Sequence, residues 1–520
     1  MSREQPPVLG IKYKWVASVV LMFGIFMTLL DTTIVDITLP KMLASLNTDT
    51  YGVQWVVIAY MIGSAVAMTL VGWIGAATSY RFVYILGMSI FVVFSAICGQ
   101  ANSLGMMVTG RLLQGIGEGL VVPISMTYLF LVFPKHEAGL AMGIYGLGAS
   151  FAPALGPTIG GFLTEHMNWR WIFYVNLPIG AIGLTLAVFL LRRIKPDGEV
   201  KWPFDWIGFI LLAISLGSLI TFLSKGQEMG WLQSDMIVIL IAVWILSSIA
   251  FLTLVSRRKN PVVDLSLFKN RVFGISIISL FCFSLTLYAI FFLLPLYMER
   301  LRGYPTLLSG MILFPGSIAM GIALITGGIL SDKISIRGIS IVCIILFSMA
   351  CFAFGILDMD TPKATIIILY ILWGITAGPL FPSLTTGGLS ELSPTQVNMG
   401  SAMQNVTRLV AGSIGTSLAV TLLERRADYF YMFFSRHTEP GNMAFSVAWK
   451  KAVDWFISKG SSVAEANIQA KVLINLYITA RSYFTAYQSA FKILALFALM
   501  AIPFLLFFRA GKIEEKPAVH

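Results

Sequence analysis

Apolar runs of about 20 residues recur along nearly all of this 520-residue chain, and a run of that length can cross a bilayer as an α-helix. Hydrophobic residues make up 57% of the chain and charged residues only 12%. A soluble globular protein carries about twice that charged fraction. The composition therefore excludes soluble domains and disorder, and it indicates an all-α integral membrane protein with many spans.

The runs predict fourteen membrane-spanning helices. The predicted helices cover residues 15–38, 52–74, 82–99, 105–131, 138–163, 171–191, 205–224, 236–255, 272–297, 306–330, 338–357, 364–386, 400–423 and 489–508. A turn running from a glycine to an arginine follows the second helix of two six-helix blocks, so we interpret the blocks as related halves.

The two halves cover residues 15–191 and 272–508. Residues 192–271 hold basic linkers and the inserted helices 7 and 8, and residues 424–488 form a long loop after helix 13. Lys and Arg residues in short loops are concentrated on the side of the N-terminus. By the positive-inside rule, residues 1–14 and 509–520 are cytoplasmic and the long loop lies outside.

Four ionisable residues lie within predicted helices of the first half. Asp31 and Arg111 lie at similar depth on helices 1 and 4, so they are expected to pair. Glu118 lies two turns deeper than Arg111 on nearly the same face, whereas Asp36 is closer to the outer surface. Charge inside a membrane span is costly and therefore marks a functional site by default. The alternatives are a structural polar clamp and, for Asp36, simple solvation.

Opposing effects of burial and of a nearby cation let a carboxyl group take up and release protons near neutral pH. A cationic ligand arriving at such a group displaces the proton by charge competition. The sequence thus predicts a proton exchange that involves Asp31, Glu118 and Asp36, with Arg111 as the modulating cation.

A charged turn, GILSDKISIR, runs from Gly328 to Arg337 after helix 10. Asp332 and Arg337 are able to latch neighbouring helices together in one conformation, although the turn could also be merely solvated. The first-half counterpart, from Gly72 to Arg81, has Ala76 in place of the acid.

The second half contains aromatic and polar residues that are candidates to bind a substrate. For each aromatic residue, core packing or lipid contact is the alternative. The candidates are Tyr288, Phe292, Phe314, Trp373, Phe381, Gln404, Asn405 and Arg408.

Aromatic residues are frequent in two further segments. The cluster at 168–180 fits an interface belt, and from it we expect anchoring and no chemistry. The long loop at 424–488 is the second such segment, and its residues 462–485 have helical apolar spacing, so we predict that the loop folds as a helical hairpin on the outer face. Apolar surface outside the bilayer indicates that this segment binds a partner protein. Packing onto itself or onto the membrane surface is the alternative.

No phosphate-binding loop, metal-ligand spacing or hydrolytic triad is present, so the sequence predicts no enzyme activity, no metal and no cofactor. Transport would draw on a proton gradient.

Together these motifs resemble the major facilitator superfamily, and within it the fourteen-helix drug:proton antiporters and EmrB-like multidrug exporters. The segments that carry the resemblance are LDTTIVDITLP at 30–40, RLLQGIGEG at 111–119, APALGPTIGG at 152–161, NWRWIFYVNLPIG at 168–180 and GGILSDKISIR at 327–337. Their order and spacing are specific, and the resemblance spans the whole chain, including helices 7 and 8 and the long loop after helix 13.

The resemblance implies alternating access by rocking of the two halves in a bacterial inner membrane. It assigns proton coupling and conformational change to Asp31 and Arg111. The antiporter motif maps onto Gly156, Pro157, Gly160 and Gly161. It also implies a periplasmic adaptor protein and an outer-membrane channel as partners through residues 424–488.

The chain departs from the family pattern of acidic residues at three positions. Ala76 stands where the family usually has an acid, whereas Asp36 and Glu118 are additional acids. The extra acids favour cationic substrates. We therefore predict a proton-coupled multidrug exporter that confers antibiotic resistance. The alternatives are an exporter of fatty-acid-like amphiphiles, which Arg408 would suit, and a membrane receptor or scaffold without transport.

Overall fold

A computed structural model describes residues 12–194, 204–258, 261–393, 396–438 and 443–508. This part of the chain is almost entirely helical and contains no β-strand, as the sequence predicts. Fifteen principal helices are named here in chain order. They are α1 Tyr13–Met42, α2 Trp55–Ala77, α3 Tyr80–Gly99, α4 Leu104–Val132, α5 Ala138–His166, α6 Asn176–Leu190, α7 Trp206–Lys225, α8 Asp235–Val255, α9 Arg271–Leu296, α10 Thr306–Lys333, α11 Ile336–Phe354, α12 Lys363–Ala377 with its continuation Leu380–Leu389, α13 Val397–Ser435, α14 Met443–Ser458 and α15 Val463–Leu499.

Shorter helical turns cap or connect the principal helices. They are Thr50–Val53, Lys135–Glu137, Trp171–Tyr174, Trp231–Gln233, Leu265–Lys269, Tyr297–Leu301, Arg436–Thr438 and Ile502–Leu506.

Among the described residues, 13 helices are long and apolar enough to cross a membrane. Predicted helix 5 corresponds to α5, which is not among the 13 although it spans 29 residues and packs between α1 and α10. The multi-span membrane fold is confirmed, and the fourteenth span stays a prediction.

The last two predicted spans have different boundaries from those in the structure. Helix α13 is a single helix of 39 residues, and α15 joins the predicted outer helix to the last predicted span in one helix of 37 residues. Charges such as Arg425 and Asp428 end an apolar run but do not end a helix, and neither proline nor glycine interrupts 463–499. At about 1.5 Å per residue, both helices exceed the roughly 30 Å hydrocarbon core.

The helices form two groups that are joined mainly by two helix pairs. In the N-terminal group, α4 packs against α2 and α3, and α1 packs against α5. In the C-terminal group, α9 packs against α13, α10 against α12, and α15 against α11 and α13. The pairs α5–α10 and α2–α13 join the groups, while α7 and α8 pack together with α7 against α2 and α13.

Small residues bring α2 and α4 into close contact. A Cβ on Gly115 would lie 2.2 Å from the carbonyl oxygen of Tyr60, and one on Gly119 would lie 2.3 Å from that of Ser64. Only glycine permits this backbone approach. The close approach places the ionisable side chains of α4 next to α1 and α2.

Candidate functional site

The first element of the site is a buried polar network around Asp31 on α1, called here the Asp31 network. Asp31 is fully buried and forms an ion pair with Arg111 of α4, which is 1% exposed. The other carboxylate oxygen accepts hydrogen bonds from Gln114 Nε2 at 3.1 Å and from Asn176 Nδ2 at 2.7 Å. The structure thus contains the ion pair that the shared depth of Asp31 and Arg111 predicts.

The guanidinium of Arg111 is well supplied with partners. Besides Asp31, its Nε donates to the carbonyl oxygen of Val56 at 3.2 Å and its Nη1 donates to Gln114 Oε1 at 2.9 Å. It also lies over the ring of Tyr60, 4.0 Å from the ring centroid. A buried ion pair is tolerated when further hydrogen bonds satisfy both charges, and this pair meets that condition.

Glu118 lies on the same helix as Arg111 but outside the Asp31 network. It is 5% exposed, and its neighbours include the hydroxyl groups of Ser64 and Tyr60. Neither Lys nor Arg of the described chain comes within 4 Å of its carboxylate. Within the described part of the chain, Glu118 is therefore a buried acid without an ion pair. Predicted Asp36 lies on α1, but its side chain is outside the described residues.

A second cluster joins the two helix groups around Arg408 on α13 and is called here the Arg408 cluster. The guanidinium is 8% exposed and donates from Nη2 to the Tyr145 hydroxyl of α5 at 3.4 Å. The Tyr145 hydroxyl in turn donates to Asn405 Oδ1 at 3.0 Å. Phe381 stacks on Tyr145 at 5.8 Å, and Arg408 lies 5.2 Å from the centroid of Phe381. Glu118 is close enough to act electrostatically on both Arg408 and Tyr145.

The other predicted substrate residues lie at different places. Tyr288 of α9 packs against Gly412, one turn along α13 from Arg408, whereas Phe292 is 37% exposed. Trp373 is fully buried among aromatic side chains, stacked on Tyr370 at 5.1 Å. Gln404 is also buried and donates to Ser276 and to a backbone carbonyl within the C-terminal group. Asn405 shares Tyr145 with Arg408, and Tyr288 acts on Arg408 electrostatically, as Glu118 does. Gln404 and Trp373 instead contact other residues of the C-terminal group.

The predicted latch residue Asp332 bridges the two groups at the end of α10. Its carboxylate oxygens accept from the backbone N–H groups of Gly139 at 2.7 Å and Leu140 at 3.0 Å, at the start of α5. Asp332 is thus an N-terminal cap supplied by a different helix. The backbones touch here, because a Cβ on Gly328 would lie 2.2 Å from the Gly139 carbonyl oxygen. Arg337 is half-buried and has neither a hydrogen bond nor an ion pair to the described residues.

The counterpart contact at the end of α2 uses an amide in place of a carboxylate. Ala76 has no polar side chain, and Asn398 of α13 instead donates to the carbonyl oxygens of Val71 at 2.9 Å and Gly72 at 3.3 Å. Thr127 of α4 donates to Asn398 Oδ1 at 3.4 Å. Both contacts lie at the end of the bundle where α1 begins, which is called here the basic end.

The glycines of the predicted antiporter motif differ in their surroundings. A Cβ on Gly156 would lie 2.2 Å from Thr33 Oγ1, and one on Gly160 would lie 2.8 Å from a side-chain carbon of Ile34. Both glycines let α5 approach α1 closely. A Cβ on Gly161 would have no described atom within 4 Å, and the side chain of Pro157 lies outside the described residues.

The sequence reasoning missed several residues of the site. Asn176 lies in the segment from which only anchoring is expected, yet it hydrogen-bonds to Asp31. Gln114 follows Arg111 by three residues and so shares its helix face, a spacing that could have identified it. Tyr145 and Asn398 carry no sequence signal, because their roles depend on contacts between helices far apart in the chain.

Residues 21–416 match the family model of the Major Facilitator Superfamily. The chain belongs to this superfamily. Multidrug export protein EmrB of Escherichia coli is 28% identical over 85% of this chain and 86% of its own length. Fatty acid resistance protein FarB of Neisseria gonorrhoeae is 28% identical over 84% and 86%.

Structural comparison agrees with this assignment. The human organic anion transporter MFSD10 matches with a TM-score of 0.59 and 16% identity, over 96% of this chain and all of that one, which supports the fold alone. The protein is thus a multi-span membrane transporter of the Major Facilitator Superfamily, similar to multidrug exporters, and not an enzyme.

Proposed function

We propose that this protein exports lipophilic drugs in exchange for protons by alternating access, from a bacterial cytoplasmic membrane with both termini inside. The observation that carries the proposal is Glu118, a buried acid that forms no ion pair with the described residues and lies between the Asp31 network and the Arg408 cluster. The similarity to EmrB supports drugs as the cargo.

The two acids are suited to different tasks. Asp31 accepts from Arg111, Gln114 and Asn176, so its charge is compensated where it lies. Glu118 has hydroxyl neighbours and no countercharge within ion-pair distance, so a proton or a cationic drug can supply the missing charge. Proton and drug then compete for one carboxylate, and this competition couples their movements.

Dye counterflow tests this role of Glu118. Purified protein in liposomes is given a pH gradient and a fluorescent cationic dye. We expect Glu118→Gln to abolish gradient-driven dye movement, Glu118→Asp to keep part of it, and the exposed control Asp235→Asn to be unchanged. Full movement in Glu118→Gln would contradict the proposal. Wild-type protein that moves no dye under any gradient would favour a receptor or scaffold.

The contacts between helix groups support alternating access. At the basic end, Asp332 caps α5 and Asn398 ties α13 to α2 and α4. Hydrogen bonds and glycine contacts of this kind can break and re-form as the groups move. Opening of the basic end would require both contacts to release.

We also propose that the protruding parts of α13 and α15 dock a periplasmic adaptor protein that leads to an outer-membrane channel. Tyr431 of α13 donates to Asn475 of α15 at 2.7 Å and ties the two helices together. Ile468, Val472 and Leu476 share one face of α15 and are 67%, 55% and 61% exposed. An apolar stripe of this kind marks an interaction surface.

Crosslinking to a co-expressed adaptor of an EmrB-like system tests the docking. Replacing Ile468, Val472 and Leu476 by serine should remove most of the crosslinked product. The exposed polar pair Gln469→Ser and Lys471→Ser serves as the control on the same helix. Unchanged crosslinking in the apolar triple variant would argue against this surface.

Export of a fatty-acid-like amphiphile is a second candidate, favoured by the buried cation Arg408 and by the similarity to the fatty acid resistance protein FarB. Competition separates the candidates. A fatty acid that is itself exported and leaves the movement of the cationic dye unaffected would indicate a separate site. Strong inhibition of fatty-acid export by Arg408→Gln, with dye movement intact, would favour the second candidate.

A further inference from the structure

Arg408 has too few partners for a buried guanidinium. The group carries five N–H donors, and within the described residues its only hydrogen bond is the 3.4 Å contact to Tyr145. A buried charge without a countercharge is costly, and side-chain packing does not remove that cost. The remaining donors are therefore available to a ligand.

Arg111 provides a comparison within the same molecule. It is buried to a similar extent, 1% against 8%, yet it has a carboxylate, a backbone carbonyl and an amide oxygen as partners. The fold is thus able to satisfy a buried arginine completely. At Arg408 no carboxylate of the described chain comes within ion-pair distance.

The groups that face Arg408 come from several helices. Tyr145 of α5, Tyr288 of α9 and Phe381 of α12 supply aromatic rings and hydroxyls. Glu118 of α4 is the acid whose charge acts on Arg408, although no ion pair joins the two. Glu118 and Arg408 therefore belong to opposite helix groups, and the charges of both act on Tyr145.

We propose that the Arg408 cluster and Glu118 together bind amphoteric substrates, with an anionic group held by Arg408 and a cationic group placed at Glu118. The proposal rests on the proposed function and names its substrate class. Arg408 binds a carboxylate through paired N–H donors, and the aromatic rings of Tyr288 and Phe381 contact the apolar body. A ligand with both charges compensates both buried residues, whereas a simple cation leaves Arg408 uncompensated.

Three related dyes test the proposal with the full chain in lipid nanodiscs. The probes are a rhodamine with a free carboxylate, its methyl ester and fluorescein. The ester keeps the cationic ring system and loses only the anion, and fluorescein lacks the cation. Binding is followed by fluorescence anisotropy at pH 7.5.

We expect wild-type protein to bind the free-acid rhodamine about tenfold more tightly than the ester, since a hydrogen-bonded charge contributes about that factor. Arg408→Gln should remove this difference by weakening the free acid alone. Arg408→Lys should keep part of it. Glu118→Gln should weaken both rhodamines and leave fluorescein unchanged.

Two results would overturn the proposal. Equal affinity of wild-type protein for the acid and the ester would show that Arg408 binds no anion, and this comparison needs no variant to fold. Fluorescein binding more tightly than the free-acid rhodamine would indicate a site for anions alone. In either case, gradient-driven export of the ester could persist, so failure here is distinguishable from failure of the proposed function.

Discussion

The two helix groups use their buried polar residues differently. In the N-terminal group, Asp31 and Arg111 find their partners within the group. In the C-terminal group, Asp332, Asn398 and Arg408 all reach across to α5 or α2. The first arrangement holds helices together, and the second can be made and broken as the groups move.

The difference explains how one bundle can be both rigid and mobile. A compensated ion pair inside a group resists any separation of α1, α4 and α6. Hydrogen bonds that cap a helix in the other group contribute less and can be replaced by water when that end opens. Tyr145 and Glu118 of the N-terminal group also act across the junction, Tyr145 through its hydrogen bonds with α13 and Glu118 through the effect of its charge on Arg408.

The largest effect is expected from breaking the N-terminal ion pair. Arg111→Leu leaves the Asp31 charge buried without its countercharge and should lower the free energy of unfolding by about 3–5 kcal/mol. Thermal unfolding of the purified protein measures the loss. The double variant Arg111→Leu, Asp31→Leu should recover most of it, since apolar side chains replace a buried ion pair at little cost. A double variant as unstable as the single one would contradict this account.

A smaller loss is expected from the amide that supports the pair. Asn176→Ala removes a hydrogen bond to a buried carboxylate and should cost about 1.5–3 kcal/mol in the same unfolding assay. Asn102→Ala is the control, because Asn102 is exposed in the turn between α3 and α4, and losing the exposed hydrogen bond that it accepts from Arg170 should change stability by less than about 0.5 kcal/mol. Equal effects of the two substitutions would mean that Asn176 does not support Asp31.

The sequence predicted the class of fold and the Asp31–Arg111 pair, because membrane depth can be counted along apolar helices. It did not predict the partners of Arg408, since the contact with Tyr145 depends on how α5 and α13 meet. Asn176 was missed because an amide among aromatic residues is typical of an interface belt. The continuous α15 was missed because hydropathy reports where lipid ends, not where a helix ends.

The contacts across the junction should affect conformation more than stability. Asp332→Ala removes the cap of α5, worth about 1–2 kcal/mol, and should shift the population toward an open basic end. Spin labels at the exposed Lys135 and Lys333 report the opening as a longer distance between α5 and α10. Asp332→Asn should keep the short distance, because an amide oxygen also caps a helix. An unchanged distance distribution in Asp332→Ala would mean that Asp332 does not hold α5 and α10 together.

The smallest effect on folding is expected from Arg408→Leu, which allows a direct comparison of the two buried arginines. Arg408→Leu leaves no ion-paired carboxylate behind and removes a charge that the protein itself compensates poorly. The free energy of unfolding should therefore change by less than about 1 kcal/mol or increase, in contrast to the large loss in Arg111→Leu. A loss as large as that of Arg111→Leu would mean that Arg408 is compensated within the fold. A stable Arg408→Leu protein would instead indicate that the guanidinium of Arg408 has a role other than stabilising the fold.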